Sequence, residues 1–361
     1  MKFNFFQKET KSVFAGVLCA GLSIGAHAQS SVTLYGILDS GVEYVSHAAT
    51  QGSGRLIRLN TGNRINSRWG ITGKEDLGAG LRAIFTLESG FATNSGTLQQ
   101  GGRLFGRQAF VGLESKSLGS VMVGRQITPM YRFSNALDPL NFASYGLPAQ
   151  DGQLVGRADN AIVYLGSLGP FEFNALYSFG YDSTIANGGQ VPGAFRVGKQ
   201  MDFGGRYRQG PLNLTFVYEQ RQGTSIATES SSERHYLAGG TFEIGNATLY
   251  GGYELLLNDV VTTLQTSPSQ YIVFGGIRYK VTPFMQLSAG SYYHSYRAVS
   301  AHALSSGVNA DYWLSKRTAL YANAAYVINS SKAALSATGS TTTVATGANQ
   351  LAVAVGIVHN F

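Results

Sequence analysis

The side chains best suited to acting on ions lie in and beside one irregular segment, residues 127–156. This segment holds three of the eight prolines, and it carries two acids, Asp138 and Asp151. Three arginines lie on predicted strands on either side of it: Arg107, Arg125 and Arg157. A loop of this length in a strand-rich chain is usually functional or disordered. We predict that the other segments close into a wall around this loop. The alternative is a loop on the protein surface, which is the default for loops.

The composition restricts the class of protein. Charged residues make up 13% of the 361 residues, about half the ordinary share, and aromatic residues make up 12%. With 46 glycines, 20 tyrosines and 20 phenylalanines, the chain suits neither a soluble enzyme nor a disordered protein. It suits many strands that are joined by tight turns and present an apolar, aromatic-rich surface.

Residues 1–28 are typical of a secretory signal peptide. Three lysines precede an apolar stretch, residues 13–25, and Ala26-His27-Ala28 is a small-x-small cleavage site. The apolar stretch is too short for a transmembrane anchor. Cleavage would leave residues 29–361 as one barrel domain without cysteine. The loss of three lysines and one glutamate would lower the net charge from +7 to +5.

Strands are indicated by strict alternation of apolar side chains with small or polar ones. The alternation is clearest at residues 171–179, 212–219, 320–328 and 351–361. In a soluble sandwich the apolar face would point inward, whereas in a transmembrane barrel it faces lipid and the polar face lines a wet lumen. After the cleavage site there is no run of roughly 20 apolar residues. An exported chain of this kind would therefore cross a bilayer as a closed barrel.

Short and long connections alternate along the chain. The short turns lie at residues 76–80, 116–119, 167–170, 209–211, 244–246, 281–283 and 314–317. The longer polar segments lie at residues 47–62, 92–102, 127–156, 181–198, 221–232, 257–269, 296–301 and 330–348. Short periplasmic turns and long outer loops are the asymmetry of an outer-membrane barrel. Seven turns and eight loops predict sixteen strands, and an even number lets the last strand pair with the first.

Four stretches and the last residue carry a family resemblance: SSVTLYGILDSGV (residues 30–42), SRWGITGKEDLGAGLRAIFTLE (67–88), FGRQAFVGLESKSLGSVMVGRQ (105–126), RADNAIVYLGS (157–167) and Phe361. They resemble the general porins of Gram-negative outer membranes, most closely the beta-proteobacterial kind. The resemblance implies a homotrimer of sixteen-stranded barrels whose third outer loop folds inward as a constriction. It also implies passive diffusion of ions and small hydrophilic solutes, contact with outer-membrane lipid, and recognition of the C-terminal strand by the barrel-assembly machinery.

The predicted fold is therefore all-β, a sixteen-stranded antiparallel transmembrane β-barrel with residues 127–156 as its long, inward-folded constriction loop. The loop departs from the family pattern, because LDPLNFASYG (residues 137–146) stands where many relatives carry a Pro-Glu-Phe-Gly-like element. This departure leaves open which loop acid faces the pore.

In the resembled family, wall arginines oppose loop acids across a water-filled pore, and the field between them disfavours apolar solutes. The motifs carry three wall positions over to this chain: Arg68, Arg107 and Arg157. Alternation and position add further candidates: Arg64, Arg82 and Arg125 on the wall, and Asp138 and Asp151 on the loop. The excess of arginines over acids, together with the positive net charge, predicts a modest anion preference.

Other chemistries lack support in the sequence. The histidines are dispersed without metal-ligand spacing, so neither a metal nor a cofactor is predicted. The basic residues form no run suited to nucleic acid, and no nucleophile motif supports a barrel enzyme. Two alternatives to a general channel stay open. One is a substrate-specific porin, for which aromatic loop residues such as Tyr131 and Phe142 are suited, and the other is an exported β-sandwich adhesin or binding protein.

Overall fold

The computed structural model describes residues 31–49, 54–184, 189–260 and 269–361, so the predicted signal peptide, residues 1–28, lies outside the described residues. The strands of the described part are β1 Ser31–Val45, β2 Leu56–Thr61, β3 Arg68–Gly78, β4 Leu81–Gly90, β5 Gln108–Ser115, β6 Gly119–Ile127, β7 Arg157–Leu168, β8 Phe171–Ser178, β9 Gln200–Gln209, β10 Leu212–Gln222, β11 Ser232–Ile244, β12 Ala247–Asn258, β13 Ser269–Thr282, β14 Met285–Tyr296, β15 Ala301–Trp313, β16 Thr318–Asn329 and β17 Gln350–Asn360. Its helices are α1 Pro129–Ser134 and α2 Leu147–Gln150, with 3-10 turns at Asn135–Leu137, Gly152–Val155, Ile226–Thr228, Arg297–Val299 and Gly339–Thr341. None of these helices is long and apolar enough to span a membrane.

The strands form one closed antiparallel sheet. From β3 onward each strand pairs with the next, and β17 pairs with β1 from Ile37 opposite Asn360 to Val45 opposite Ala352. The barrel has seventeen strand segments but sixteen strand positions, because β2 and β3 share one position. Each of them pairs with a different half of β1. The predicted sixteen-stranded antiparallel barrel is thus confirmed.

The last residue extends the closing pair of strands. Phe361 exchanges two backbone hydrogen bonds with Gly36 in β1, at N–O distances of 3.0 and 3.1 Å. The Phe361 ring lies over Gly36, where a Cβ atom would overlap it. The chain end therefore fits a position on β1 that only glycine leaves open.

One predicted connection is wrong in part. Residues 47–62 are predicted as a loop, yet β2 lies within them. Ile57 and Leu59 are exposed on the outer face, whereas Arg58 donates from Nε to Glu43 Oε2 at 2.6 Å. The alternation covers only six residues, so the polar residues on both sides obscure it in the sequence. The seven short turns all join consecutive strands, as predicted.

The two faces of the barrel differ in polarity. In β16, Leu320, Tyr326 and Ile328 are exposed on the outer face, whereas Tyr321 and Asn323 are buried on the inner face. An apolar outer band of this kind fits hydrocarbon, and a polar interior fits water. A β-sandwich would bury its apolar faces, so the sandwich hypothesis is wrong.

The segment between β6 and β7 lies against the inner face of this wall. Pro139 packs against Gly276 in β13, where a Cβ atom would come within 2.6 Å of the proline ring. The backbone N–H of Ser144 donates to Asn63 O at 3.1 Å. Asn63 lies between β2 and β3, on a distant part of the sheet. A segment that contacts two such distant parts of a closed sheet passes through the space inside it.

Apolar burial holds this segment in place. Its buried side chains pack with inward-facing wall residues: Met130, Phe133, Leu137, Leu140, Ala143, Leu147 and Leu154 with Val217, Leu237, Ile272, Phe274 and Tyr292. Each large apolar side chain stabilises the packed state by about 1.5–3 kcal/mol when it leaves water. The inner wall is therefore wet only where the loop does not cover it.

Asp39 organises the break between β2 and β3. Its fully buried carboxylate accepts hydrogen bonds from the backbone N–H groups of Arg64 and Ile65, both at 2.7 Å. The Tyr321 hydroxyl donates to the other carboxylate oxygen, also at 2.7 Å. Strand β16 thereby fixes the turn of chain that presents Arg64 to the lumen.

Replacing Tyr321 with phenylalanine should destabilise the barrel by about 1–3 kcal/mol, because one oxygen of a buried carboxylate loses its donor. The measurement is guanidinium unfolding of the barrel folded in detergent micelles. Tyr326→Phe is the matched control, since that hydroxyl is on the exposed outer face of the same strand, and it should change stability by less than about 0.5 kcal/mol. Equal midpoints for the two variants would contradict the role of Asp39.

Candidate functional site

Helix α1 places Tyr131 among three of the predicted wall arginines. Thr128 caps the helix by accepting from Tyr131 N at 3.2 Å, and Pro129 occupies its first turn. The Arg107 Nη2 group donates to the Tyr131 hydroxyl at 3.4 Å, and the Arg157 guanidinium lies 5.1 Å from the centre of its ring. The structure therefore brings the loop and the arginine-bearing strands together at one tyrosine.

Arg107 is anchored rather than free. Its side chain is 1% exposed, and its Nε donates to Glu88 Oε1 at 2.7 Å. The other carboxylate oxygen of Glu88 accepts from the Tyr35 hydroxyl at 2.9 Å. Glu88 is thus the structural partner of Arg107, and its charge cancels that of the arginine.

Arg68 and Arg157 hydrogen-bond backbone carbonyl groups instead of acids. Arg68 Nε donates to Asn66 O at 3.2 Å, and Arg157 Nη1 donates to Val155 O at 3.2 Å. Burial alone would raise the pKa of the Tyr131 hydroxyl, but the surrounding guanidinium groups hold that pKa below its ordinary value. The electrostatic potential at this point of the lumen is therefore positive.

A cleft of about 350 Å³, here called the arginine cleft, opens beside this cluster. Its principal lining residues are Arg64, Arg68, Tyr131, Asn141, Phe142 and Asp311. Arg64 forms a bidentate pair with Asp311, at 2.7 and 3.0 Å, and also donates to Asn141 O at 3.1 Å. The rings of Tyr131 and Phe142 stack at 5.3 Å. The cleft thus joins one neutralised arginine, one unpaired arginine and a flat aromatic surface.

Asp138 does not lie where the sequence predicts. It is fully buried, and its carboxylate accepts from the Tyr292 hydroxyl at 2.6 Å. Backbone N–H groups of the loop donate to it as well: Leu140 at 3.1 Å, Phe142 at 2.9 Å and Leu147 at 3.3 Å. Burial raises the pKa of the Asp138 carboxyl in spite of these hydrogen bonds. Asp138 organises the loop, and its charge does not face the water-filled passage.

Asp151, the other loop acid, lies at the far end of the segment. It caps the 3-10 turn that follows it by accepting from Gln153 N at 2.7 Å, and it accepts from Gln270 Nε2 at 3.2 Å. Asp151 is half-buried and lies against β11 and β12, beside His235 and Glu254. The structure therefore keeps Asp151 separate from the arginine cluster at Tyr131.

Two further predicted wall arginines form ion pairs with wall acids. Arg125 forms an ion pair with Asp159 at 2.5 Å and donates to Gly106 O at 2.7 Å. Arg82 pairs with Glu114 at 3.2 Å beside a short turn. Because Arg82 is six residues from Glu88 along β4, it lies about 20 Å from the pair that holds Arg107. Alternation identifies the face of Arg82 but not its height in the barrel.

Sequence reasoning missed a second basic cleft, of about 270 Å³, near the short turns. Its charged and polar lining residues include Arg206, Arg208, Arg278, Lys280, Glu243 and Gln286. Arg278 also donates to Asp138 O at 2.9 Å, which links this cleft to the loop. Strands β9 and β13 each carry two basic residues spaced two positions apart. Because that spacing keeps both residues on one face of a strand, it is the signal in the sequence that could have revealed this cleft.

Replacing Asp138 with alanine should loosen the loop, because four donors lose a buried acceptor. We expect the backbone amides of Leu140, Phe142 and Leu147 to exchange with deuterium about tenfold faster or more, which corresponds to about 1–3 kcal/mol of lost local stability. Asp259→Ala is the control, since that acid is exposed and, among the described residues, its side chain pairs with Arg234 at the surface. Unchanged protection of the three amides would show that apolar packing alone holds the loop.

Comparison with known proteins identifies the family. A family model for the Gram-negative porins matches residues 15–332. The outer membrane porin protein 32 of Delftia acidovorans is 31% identical over 97% of this chain and 99% of its own length. An outer membrane porin protein of Bordetella pertussis is 35% identical, over 64% of this chain and 66% of its own. The solved structure of the anion-selective porin from Comamonas acidovorans has a TM-score of 0.77 and 26% identity, and the match covers 92% of this chain and 100% of that one. A closed sixteen-stranded barrel with these relatives belongs to the Gram-negative porins, which are channels of the outer membrane.

Proposed function

We propose that this porin is a general diffusion channel with a modest preference for anions, and that it acts without catalysis. Ions and small hydrophilic solutes pass through the water-filled lumen, which residues 127–156 narrow. The observation that carries this proposal is the unpaired positive charge of Arg68 and Arg157 beside the loop. In a channel narrowed at that point, each ion passes close to those two positive charges.

The position of the loop supports its role as a constriction. It packs on the inner face through an apolar core and reaches from β13 to the break between β2 and β3. Asp138, held by Tyr292, and Arg278, which donates to the backbone of Asp138, fasten its middle to the wall. A loop whose middle is attached to the wall narrows the open cross-section of the lumen and stays in that position.

The charges left unpaired support the anion preference. Arg64 is neutralised by Asp311, and Arg107 is neutralised by Glu88. Among the described residues, neither Arg68 nor Arg157 hydrogen-bonds a carboxylate. One unit charge about 8 Å from an ion in water contributes about 0.5 kcal/mol, which changes the occupancy of that ion about twofold. The similar protein from Comamonas acidovorans is itself described as anion-selective.

Removal of one unpaired charge should shift the channel towards cations. In a planar bilayer with a potassium chloride gradient, the wild-type zero-current potential should have the sign for anions. Arg68→Gln should lower the anion-to-cation permeability ratio about two- to fivefold, because the lost charge acts oppositely on the two ions. Arg82→Gln is the matched control, since it removes an equal charge from the same face and Lys74 still pairs with Glu114. The control should leave the ratio nearly unchanged.

The same recordings distinguish the alternatives. Cation preference in the wild-type channel, or equal shifts in both variants, would contradict the assignment of the arginines. A conductance that saturates with the concentration of one solute would favour a substrate-specific porin, in which the stacked rings of Tyr131 and Phe142 bind that solute. Properly folded protein without conductance would contradict the channel itself.

We also propose that three barrels associate in the membrane and that the barrel-assembly machinery recognises the strand ending at Phe361, as membership of the family implies. Protein extracted in mild detergent should have the mass of three chains by light scattering. It should fall to the mass of one chain only after heating, because a wide interface between barrels resists detergent. A single-chain mass before heating would contradict the trimer.

A further inference from the structure

The inner face of β9 to β12 gathers acids away from the arginine cleft. Asp202 in β9 lies directly opposite Glu219 in β10, and Glu219 lies directly opposite His235 in β11. Glu254 in β12 lies diagonally from His235 and is hydrogen-bonded to it at 3.1 Å. Like charges in direct cross-strand positions repel each other. The carboxyl groups of this acidic cluster must therefore be neutralised, either by protons or by a bound cation.

Several oxygens of this acidic cluster lack hydrogen-bond partners among the described residues. Both carboxylate oxygens of Glu219 are without one, as are Oδ1 of Asp202 and Oε2 of Glu254. These three side chains are buried, with exposures of 0%, 4% and 2%. A buried carboxylate oxygen without a partner is costly, and it is the group that a bound cation would satisfy.

The cations already present do not balance the acidic cluster. Arg221 pairs with Glu233, and its Nε lies 3.9 Å from Glu219. His235 donates or accepts at both nitrogens, to Glu233 at 3.0 Å and to Glu254 at 3.1 Å. With Asp151 and Asp202 there are five carboxylates against one arginine and one histidine. With all five carboxyl groups ionised, this group of described residues would carry three excess negative charges even with a protonated imidazole, so the unpaired carboxyl groups must take up protons or bind a cation.

The end of the loop completes the arrangement. Asp151, His235 and Glu254 each offer a ligand atom, and these atoms all lie within 4.8 Å of one another. Asp151 is half-buried, so an ion can reach the group from the lumen. One ligand comes from the loop and two come from adjacent wall strands, and no spacing in the sequence reveals them together.

We propose that Asp151, His235 and Glu254 bind a divalent cation with the chemistry of Zn²⁺, with water as a further ligand. Imidazole nitrogen and carboxylate oxygen are ligands that zinc accepts, whereas Ca²⁺ and Mg²⁺ prefer oxygen alone. Ligand atoms around tetrahedral zinc lie roughly 3.3 Å apart. The His235 to Glu254 separation of 3.1 Å already fits, and a small movement of Asp151 would complete the site.

The bound ion would replace the hydrogen bond between His235 Nδ1 and Glu254 Oε1. It would lower the negative charge of the group, and Glu254 would serve as a ligand through Oε1, the oxygen that lies 3.1 Å from His235 Nδ1. It would also tie the end of residues 127–156 to β11 and β12, opposite the fastening at Asp138. The inference rests on this geometry and not on the anion preference proposed above.

The test uses the full folded barrel in detergent, treated with a chelator and then titrated with zinc chloride alone in a calorimeter. We expect one Zn²⁺ per chain. His235→Gln and Glu254→Gln should each weaken binding about tenfold or more, because each removes a ligand. His294→Gln is the matched control, since His294 is a buried inward-facing histidine that hydrogen-bonds Gln150 rather than a carboxylate. It should bind zinc as the wild type does.

Thermal unfolding supplies a second readout that does not depend on heat of binding. Zinc at about 100 times its dissociation constant for the wild type should raise the unfolding temperature of the wild type and of His294→Gln equally, and that of His235→Gln by about half as much or less. Two ligand variants are used so that the test still works when one of them does not fold. The heat-dependent gel mobility of the barrel would reveal a variant that does not fold. Absence of zinc binding, equal binding by all variants, or tighter binding of Ca²⁺ than of Zn²⁺ would overturn the proposal. Each of these outcomes leaves the conductance experiments unaffected.

Discussion

Every backbone N–H and C=O group inside a bilayer must find its partner within the protein, and the rest of this structure depends on that constraint. The pairing of β17 with β1 satisfies it by leaving no strand edge, and Phe361 extends the pairing to the last residue. Closure then divides the side chains into two groups. Those facing lipid must be apolar, and the polar residues are left to face the interior.

The interior of such a barrel is too polar to pack like an ordinary core. The loop solves this by bringing its own apolar residues to one part of the wall, where Leu237, Ile272 and Phe274 receive them. This packing also buries the Asp138 carboxylate, which therefore needs the hydrogen bonds that four donors supply. The arginine cleft, which loop residues Tyr131, Asn141 and Phe142 help to line, stays polar because its wall side carries Arg64, Arg68 and Asp311.

Local periodicity was enough to predict the strands other than the six-residue β2, because the side-chain period of a strand is a property of consecutive residues. The faces of Leu320, Tyr321 and Asn323 follow directly from it. The environment of Asp138 could not be predicted in this way, since its hydroxyl donor, Tyr292, is 154 residues away in sequence. The acidic cluster on β9 to β12 likewise depends on strand register, which alternation within a single strand does not define.

Ion selectivity in this lumen depends on which charges remain unpaired, and the net charge of the chain is a poor guide to it. Arg107 and Arg64 occupy predicted wall positions, yet Glu88 and Asp311 cancel them. Among the described residues, Arg68 and Arg157 hydrogen-bond backbone carbonyl groups and no carboxylate, and our proposal assigns the anion preference to their charge. The acids of β9 to β12 are gathered on another part of the wall. In the proposed channel, the partner of each charged side chain decides whether that side chain contributes to the field across the lumen or to the fold.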